Sequence, residues 1–198
     1  TSDSLVRAVL AAREIGVPVF LLGRGANILV SDTGVRGLVI KSEANEVEFL
    51  EGGRVRAASG VEVFPGLIQA TVDKGLGGLH HFVGIPSTVG GAMWQNLHFL
   101  SPAPNRERTV FLEEFVESAE ILSEGGKVRE VDRDYFEFGY DYSILHRTGD
   151  TVLSVTFQLE PRDKETLRRV IRENLQWRSD RHPDLWLYPS AGSIFRKV

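Results

Sequence analysis

Residues 78–96 read GLHHFVGIPSTVGGAMWQN, and the fold turns on this stretch. It is apolar enough for a core, yet Gly84, Gly90, Gly91 and Pro86 interrupt any helix or strand that could carry it. Glycine inside an element costs roughly 1 kcal/mol relative to alanine. A backbone that must come close to a ligand explains that cost. Ile85, Ser87 and Thr88 complete a bend in which Ser87 or Thr88 caps a short helix, so that free N–H groups attract an anion. Gly90, Gly91 and Ala92 remove side chains where a flat ligand lies. Close helix–strand packing asks for small residues equally well, and the stretch by itself does not separate the two.

A second glycine bend lies upstream, in LLGRGANILVSD. Gly23 and Gly25 follow an apolar run, with Arg24, Ala26, Asn27, Ile28 and Leu29 around them. Successive N–H groups aimed into one concavity suit a phosphate, although a tight turn between strands is the commoner use of such glycines. A third bend lies in YPSAGSIF, where Gly192 precedes Ser193. Neither histidine nor lysine adjoins that serine in sequence to activate it as a nucleophile.

Outward from these bends the chain alternates helices with hairpins. Residues 3–14 form an amphipathic helix on Leu5, Val6, Val9 and Leu10, capped by Asp3 or Ser4 and ended by Gly16. VPVFLLG, ILVSD and GLVIK read as strands. EVEFLEGGRVRAAS and FVESAEILSEGGKVREVD read as hairpins turning at paired glycines. FPGLIQATVDKG predicts a helix closed by Gly75. Asp132 to Phe136 makes a short helix, and DTVLSVTFQLE a strand with alternating faces. Pro161 opens a helix reaching about Ser179. Residues 97–111 read as a loop, and the run after His182 as a strand cut short. The class is α+β. Strict βαβ alternation is missing, which argues against a doubly wound dinucleotide fold.

Composition narrows the functions. The 198 residues are 42% hydrophobic and 25% charged, with a net charge of −4 and no Lys/Arg run, so no nucleic-acid surface is expected. Cysteine is absent, which removes disulfides and thiolate metal sites and fits a cytoplasmic protein. The five histidines form no ligand-spaced pair, so no metal site is expected. No run of about 18 apolar residues predicts a membrane span, and the N-terminus carries no basic-then-apolar signal pattern.

Together the three bends resemble the UDP-N-acetylenolpyruvoylglucosamine reductases of peptidoglycan synthesis, in order and rough spacing over nearly the whole chain. These enzymes have the vanillyl-alcohol-oxidase (PCMH) type of FAD-binding fold. Residues 23–30 match the Gly-x-Gly-Ser-Asn-x-Leu-Val turn. Residues 84–92 match Gly-Ile-Pro-Gly-Thr-Val-Gly-Gly-Ala with Ser87 for a glycine, and Asn96 matches the asparagine beyond. Residues 190–195 match the Ser-Ala-Gly-Ser-x-Phe strand, and FEFGYDYSILH the Phe-Gly-Tyr-Arg-x-Ser segment.

The resemblance implies two small α+β subdomains, residues 1–62 and 63–183, and the start of a substrate-binding domain at 184–198. It implies FAD as cofactor, with its diphosphate against the first two bends, NADPH as electron donor and a UDP-sugar as substrate. Ser193 is then the proton donor, Tyr140 the tyrosine beside the substrate, and the protein a monomer. Two departures stand out. Asp141 replaces an arginine that helps polarise the substrate carboxylate, leaving Arg147, Arg178 or Arg181 to stand in. Beyond Ser193 the chain leaves the family pattern, and about thirty N-terminal residues of the family are missing, so it reads as part of a longer enzyme. Another FAD-dependent oxidase or dehydrogenase of this fold, or a domain without catalysis, stays open as an alternative.

Overall fold

A computed structural model describes residues 1–102, 105–106, 108–183, 187–188 and 190–192. Helix α1 (Ser2–Glu14) is capped by Thr1, whose hydroxyl accepts the Ser4 amide, one turn earlier than expected. Its buried Leu5 and Val9 meet Leu122 and Leu153, with Val19 and Ile40 alongside. Strands β1 (Val19–Leu22) and β2 (Leu38–Lys41) pair in parallel as a separate two-stranded sheet. The expected strand ILVSD does not form. Leu29 is 91% exposed and finds no neighbouring strand, so the segment runs as an open connection.

The larger sheet is antiparallel throughout. Its strands are β3 (Val47–Phe49), β4 (Arg54–Ala58), β8 (Val116–Leu122), β9 (Val128–Asp132) and β10 (Thr151–Gln158), in the order β3-β4-β10-β8-β9. Both glycine-paired hairpins are present. Gly52 and Gly53 in the first, and Gly126 in the second, take the positive φ that such tight turns require. Strand β10 lies at the centre of the sheet and is buried on both faces, because α1 covers one side and the main core the other.

Between the hairpins lie α2 (Ile68–Asp73), β5 (Leu76–Gly77), a 3₁₀ turn Leu79–Phe82 and α3 (Val89–Gln95). Val89, Ala92 and Met93 of α3 join the main core with Val55, Ala57, Val155 and Phe157. The expected loop 97–111 contains an antiparallel pair, β6 (His98–Leu100) with β7 (Thr109–Phe111). Two prolines and three charges concealed it, since only three residues on each side form the ladder. Another short pair sets β11 (Glu160–Pro161) against β5. Pro161 therefore belongs to a strand edge, and α4 (Lys164–Ser179) starts later, with Asp163 accepting the Thr166 amide at 2.8 Å. The short helix expected after Asp132 is a 3₁₀ turn, Arg133–Phe136, capped by that aspartate. Among the described residues no helix is long and apolar enough to cross a membrane.

Candidate functional site

Strand β1 delivers the chain to Gly23. Gly25 adopts φ +69°, which favours glycine. The amides of Arg24, Gly25, Ala26 and Asn27 make no hydrogen bond among the described residues. Side chains tie this bend down instead. The Arg24 guanidinium pairs with Glu62, and the Asn27 amide donates to Gln95 on α3. Ile28 is half-buried, while Leu29 projects outward. Beside the bend opens a cleft of about 380 Å³, lined by Gly23, Arg24, Lys41, Gly60, Glu62 and Thr88 among others.

The second bend corrects the reading of the helix start. Thr88 is the cap, accepting the Gly91 amide at 3.2 Å. The first-turn amides, however, are not free. Val89 donates to the Val61 carbonyl at 2.9 Å and Gly90 to the Ser59 carbonyl at 2.8 Å. A bridge between Glu62 and Thr88 docks the helix start on the turn after β4, and that turn uses the donors. Gly90 serves packing. A Cβ there would stand 3.2 Å from Ser59, tighter than side chains normally tolerate. A Cβ on Gly91 would meet the Ser87 and Thr88 hydroxyls at 3.4 Å, and Ala92 is buried in the core. Gly84 needs both its φ of +77° and its bareness, since a Cβ would sit 2.9 Å from Nε of Arg178. Ile85 is half-buried and Pro86 exposed. The amides of Gly84, Ser87 and Thr88 are the ones in this bend left without a partner among the described residues.

The bends meet. A Cβ on Gly23 would lie 2.7 Å from the Thr88 hydroxyl, so only glycine admits this approach. Unpaired amides of residues 24–27 and 87–88 thus gather around one contact. Partial positive charge concentrated in this way suits an anionic linker. The third bend arrives at the same place, since a Cβ on Gly192 would lie 3.0 Å from Oδ1 of Asn27. Ser193 lies outside the described residues.

Asn96 is fully buried and left-handed at φ +47°. Its Nδ2 donates to Glu113 Oε1 and to the Gly139 carbonyl, both at 3.1 Å, while its Oδ1 accepts the Glu113 amide at 3.2 Å. With its side chain so committed, Asn96 holds the 139–142 turn against α3. On that turn Tyr140 is about half exposed, and Asp141 accepts from Gln95 Nε2 at 2.9 Å. Each of the three arginines considered as stand-ins for the missing charge at Asp141 has another contact. Arg147 pairs with Glu137 at 2.6 Å. Arg181 lies over the Trp177 ring, and Arg178 is wedged between Gly84 and Phe99.

Glu62, Gln95 and His98 stand in this site without having been singled out in sequence. Gln95 was legible in principle as the neighbour of Asn96. Glu62 and His98 carry no local pattern, because tertiary contacts alone bring them in. His80 and His81, by contrast, lie inside the stretch read first and turn out to be structural. Burial lowers His80 to about 3 and His81 to about 4, with the neighbouring imidazole and then Arg162 adding to the effect on His80, and Arg108 to that on His81. The Gly78 amide donates to His80 Nδ1 at 3.0 Å, and His81 Nδ1 lies 2.8 Å from the Ser101 hydroxyl.

The two bends meet on an α+β scaffold, and residues 1–132 match the family model described as FAD binding domain, which defines a flavin-nucleotide-binding class of protein. The chain belongs to this FAD binding domain family. It is similar to UDP-N-acetylenolpyruvoylglucosamine reductases: 40% identical over 185 residues to that of Moorella thermoacetica, covering 93% of this chain and 57% of the relative. The corresponding protein of Pelobacter propionicus is 38% identical, with coverage of 98% and 62%. The crystal structure of UDP-N-acetylenolpyruvylglucosamine reductase from Thermus caldophilus superposes with a TM-score of 0.77 at 27% identity, covering 100% of this chain and 66% of that one. The chain therefore spans about three fifths of the length of the curated relatives it matches.

Proposed function

We propose that this chain is the FAD-binding part of a reductase that converts UDP-N-acetylenolpyruvoylglucosamine to UDP-N-acetylmuramate in peptidoglycan synthesis. The observation that carries the reading is the Gly23–Thr88 approach, with the unpaired amides around it. Residues 23–27, Ser87 and Thr88 would hold the FAD diphosphate through their main-chain N–H groups. Ile85, Pro86, Gly90, Gly91 and Ala92 shape the backbone beneath it. Bound FAD would supply the hydride acceptor and donor that links NADPH oxidation to reduction of the enolpyruvyl double bond.

The chain's own residues bind, orient and transfer protons. The Asn27–Gln95–Asp141 run of hydrogen bonds fixes the first bend relative to Tyr140. Tyr140 faces the sugar nucleotide, and Ser193, one residue beyond the Gly192 contact, donates the proton. A serine hydroxyl serves as an acid where neighbouring charge stabilises the oxyanion and a rigid strand holds it. The division at residues 62 and 183 into two FAD-binding parts and the beginning of a substrate-binding part belongs to the same proposal. So do a cytoplasmic location, a monomeric state and roles in cell division and cell shape.

The visible absorption spectrum of the purified protein, before and after adding FAD, tests the reading. Yellow protein bleached by NADPH is expected, and colourless protein that ignores added FAD overturns it. Asp141 favours a second reading, a flavin oxidase or dehydrogenase of the same fold. Turnover of a small alcohol or hydroxy acid, with no response to the enolpyruvyl sugar nucleotide, would select it.

A further inference from the structure

We infer that the Glu62 carboxylate and a cofactor phosphate compete for the Arg24 guanidinium, so that Arg24 is a phosphate clamp released from Glu62 as FAD binds. The inference rests on the placing of the FAD diphosphate at the two bends proposed above. Glu62 reaches the site through strand register. The Val63 amide donates to the Ser87 carbonyl and the Val89 amide to the Val61 carbonyl, both at 2.9 Å. These bonds flank the Glu62–Thr88 bridge, so the two residues form a non-hydrogen-bonded antiparallel pair. Side chains of such a pair emerge close together on one face. The Thr88 hydroxyl is the group that Gly23 approaches. Arg24, the next residue, reaches from the first bend to Glu62 across that approach.

Charge and exposure make the exchange favourable. Among the described residues, the charged side chains lining the cleft beside the bends are Arg24, Lys41, Glu43 and Glu62. They pair off, Arg24 with Glu62 and Lys41 with Glu43 at 3.3 Å. Both cations are thus matched, and the main-chain amides of the bends are left to attract an anion. A diphosphate on those amides meets the Glu62 carboxylate as a like charge, which opposes binding. The Arg24 and Glu62 side chains are 45% and 42% exposed, so both can turn without disturbing the core. An ion pair at such exposure is weak, whereas a guanidinium–phosphate contact is charge-assisted and can be bidentate. Passing Arg24 from carboxylate to phosphate gains the stronger contact and leaves Glu62 to turn into water.

The test is titration of the chain with FAD, at equilibrium and by stopped flow, followed by flavin fluorescence, with phosphorus NMR of the bound cofactor. Glu62→Gln keeps the side chain's size and removes its charge. It should tighten FAD binding about threefold, mainly through faster association, on the scale of one exposed ion pair. Arg24→Gln should weaken binding about tenfold, the scale of a charge-assisted hydrogen bond, and shift the phosphorus resonances of bound FAD. Both side chains are exposed, so the variants should melt close to the parent chain without FAD, which keeps a folding defect from passing as lost affinity. If Glu62→Gln instead weakens FAD binding, Glu62 steadies Arg24 without competing for it, and the inference falls. It falls equally if Arg24→Gln leaves the affinity and the phosphorus resonances unchanged. In both cases FAD still binds and its placing at the bends stands. If the parent chain takes up no FAD, or if Gly23→Ala leaves its affinity unchanged, that placing falls and takes the inference with it.

Discussion

Asn96 shows how one buried side chain can hold several segments together. Its amide satisfies the Glu113 backbone, the Glu113 carboxylate and the Gly139 carbonyl in a fully buried place. Truncation leaves those groups unpaired, and a buried unsatisfied polar group costs about 1–3 kcal/mol. Alanine is also poorly suited to φ +47°. Asn96→Ala should therefore lower stability by about 3 kcal/mol in urea titrations, with slower and weaker FAD uptake as a secondary effect. Gly23 is a different kind of position. Alanine there drives a methyl group into the Thr88 hydroxyl, which is busy capping α3. Gly23→Ala should weaken FAD binding, followed by flavin fluorescence, and cost about 1 kcal/mol, the worth of a helix cap. Thr88→Ala alone loses the same cap. The double variant should cost clearly less than the sum, because the two changes remove one shared interaction.

Helices, strands and turns differ in how plainly the sequence announces them. The two hairpins were legible because paired glycines interrupt alternating runs, and a tight turn has few other chemical solutions. ILVSD is an apolar run without a partner, and an apolar run records something to bury without naming what buries it. The start of α4 was misplaced because proline suits both a first helical turn and a strand edge, whereas Asp163 two residues later makes the actual capping bond. At the bends, the glycines were visible, but which amides remain free was not. That depends on the carbonyls of Ser59 and Val61 arriving from the turn after β4. The 3₁₀ turn Leu79–Phe82 carries a consequence for acid stability. His80 and His81 are held neutral well below their ordinary value of 6.5, so the unfolded chain binds their protons first. Stability should be complete above about pH 6.5 and decline as pH falls towards 4, by up to about 1.4 kcal/mol per pH unit for each histidine. Thermal melts across that range would reveal it, and His81→Gln should flatten the slope.

At the scale of the whole molecule, the proposed nucleotide site lies where the bend after β1 meets the start of α3. FAD that binds only the folded chain should raise its melting temperature, by an amount worth about 2.7 kcal/mol at a free concentration a hundred times Kd. A melting curve that does not respond to FAD would count against the site. The general class was legible at this scale from the order of helices and hairpins. The contact between residues 23 and 88 was not, since 64 positions of chain separate them and nothing local records a tertiary meeting.

Strands β1 and β2 have half-buried or exposed residues along their whole length, in contrast to the enclosed β10. Regions with so little burial open before the rest. Amide protons of β1 and β2 should thus trade with deuterium fastest among the strands, and occupancy of the neighbouring nucleotide cradle should slow that trade even at positions no cofactor atom reaches. The flavin would then act as a clasp, conferring on the smaller sheet a persistence that its own packing does not provide.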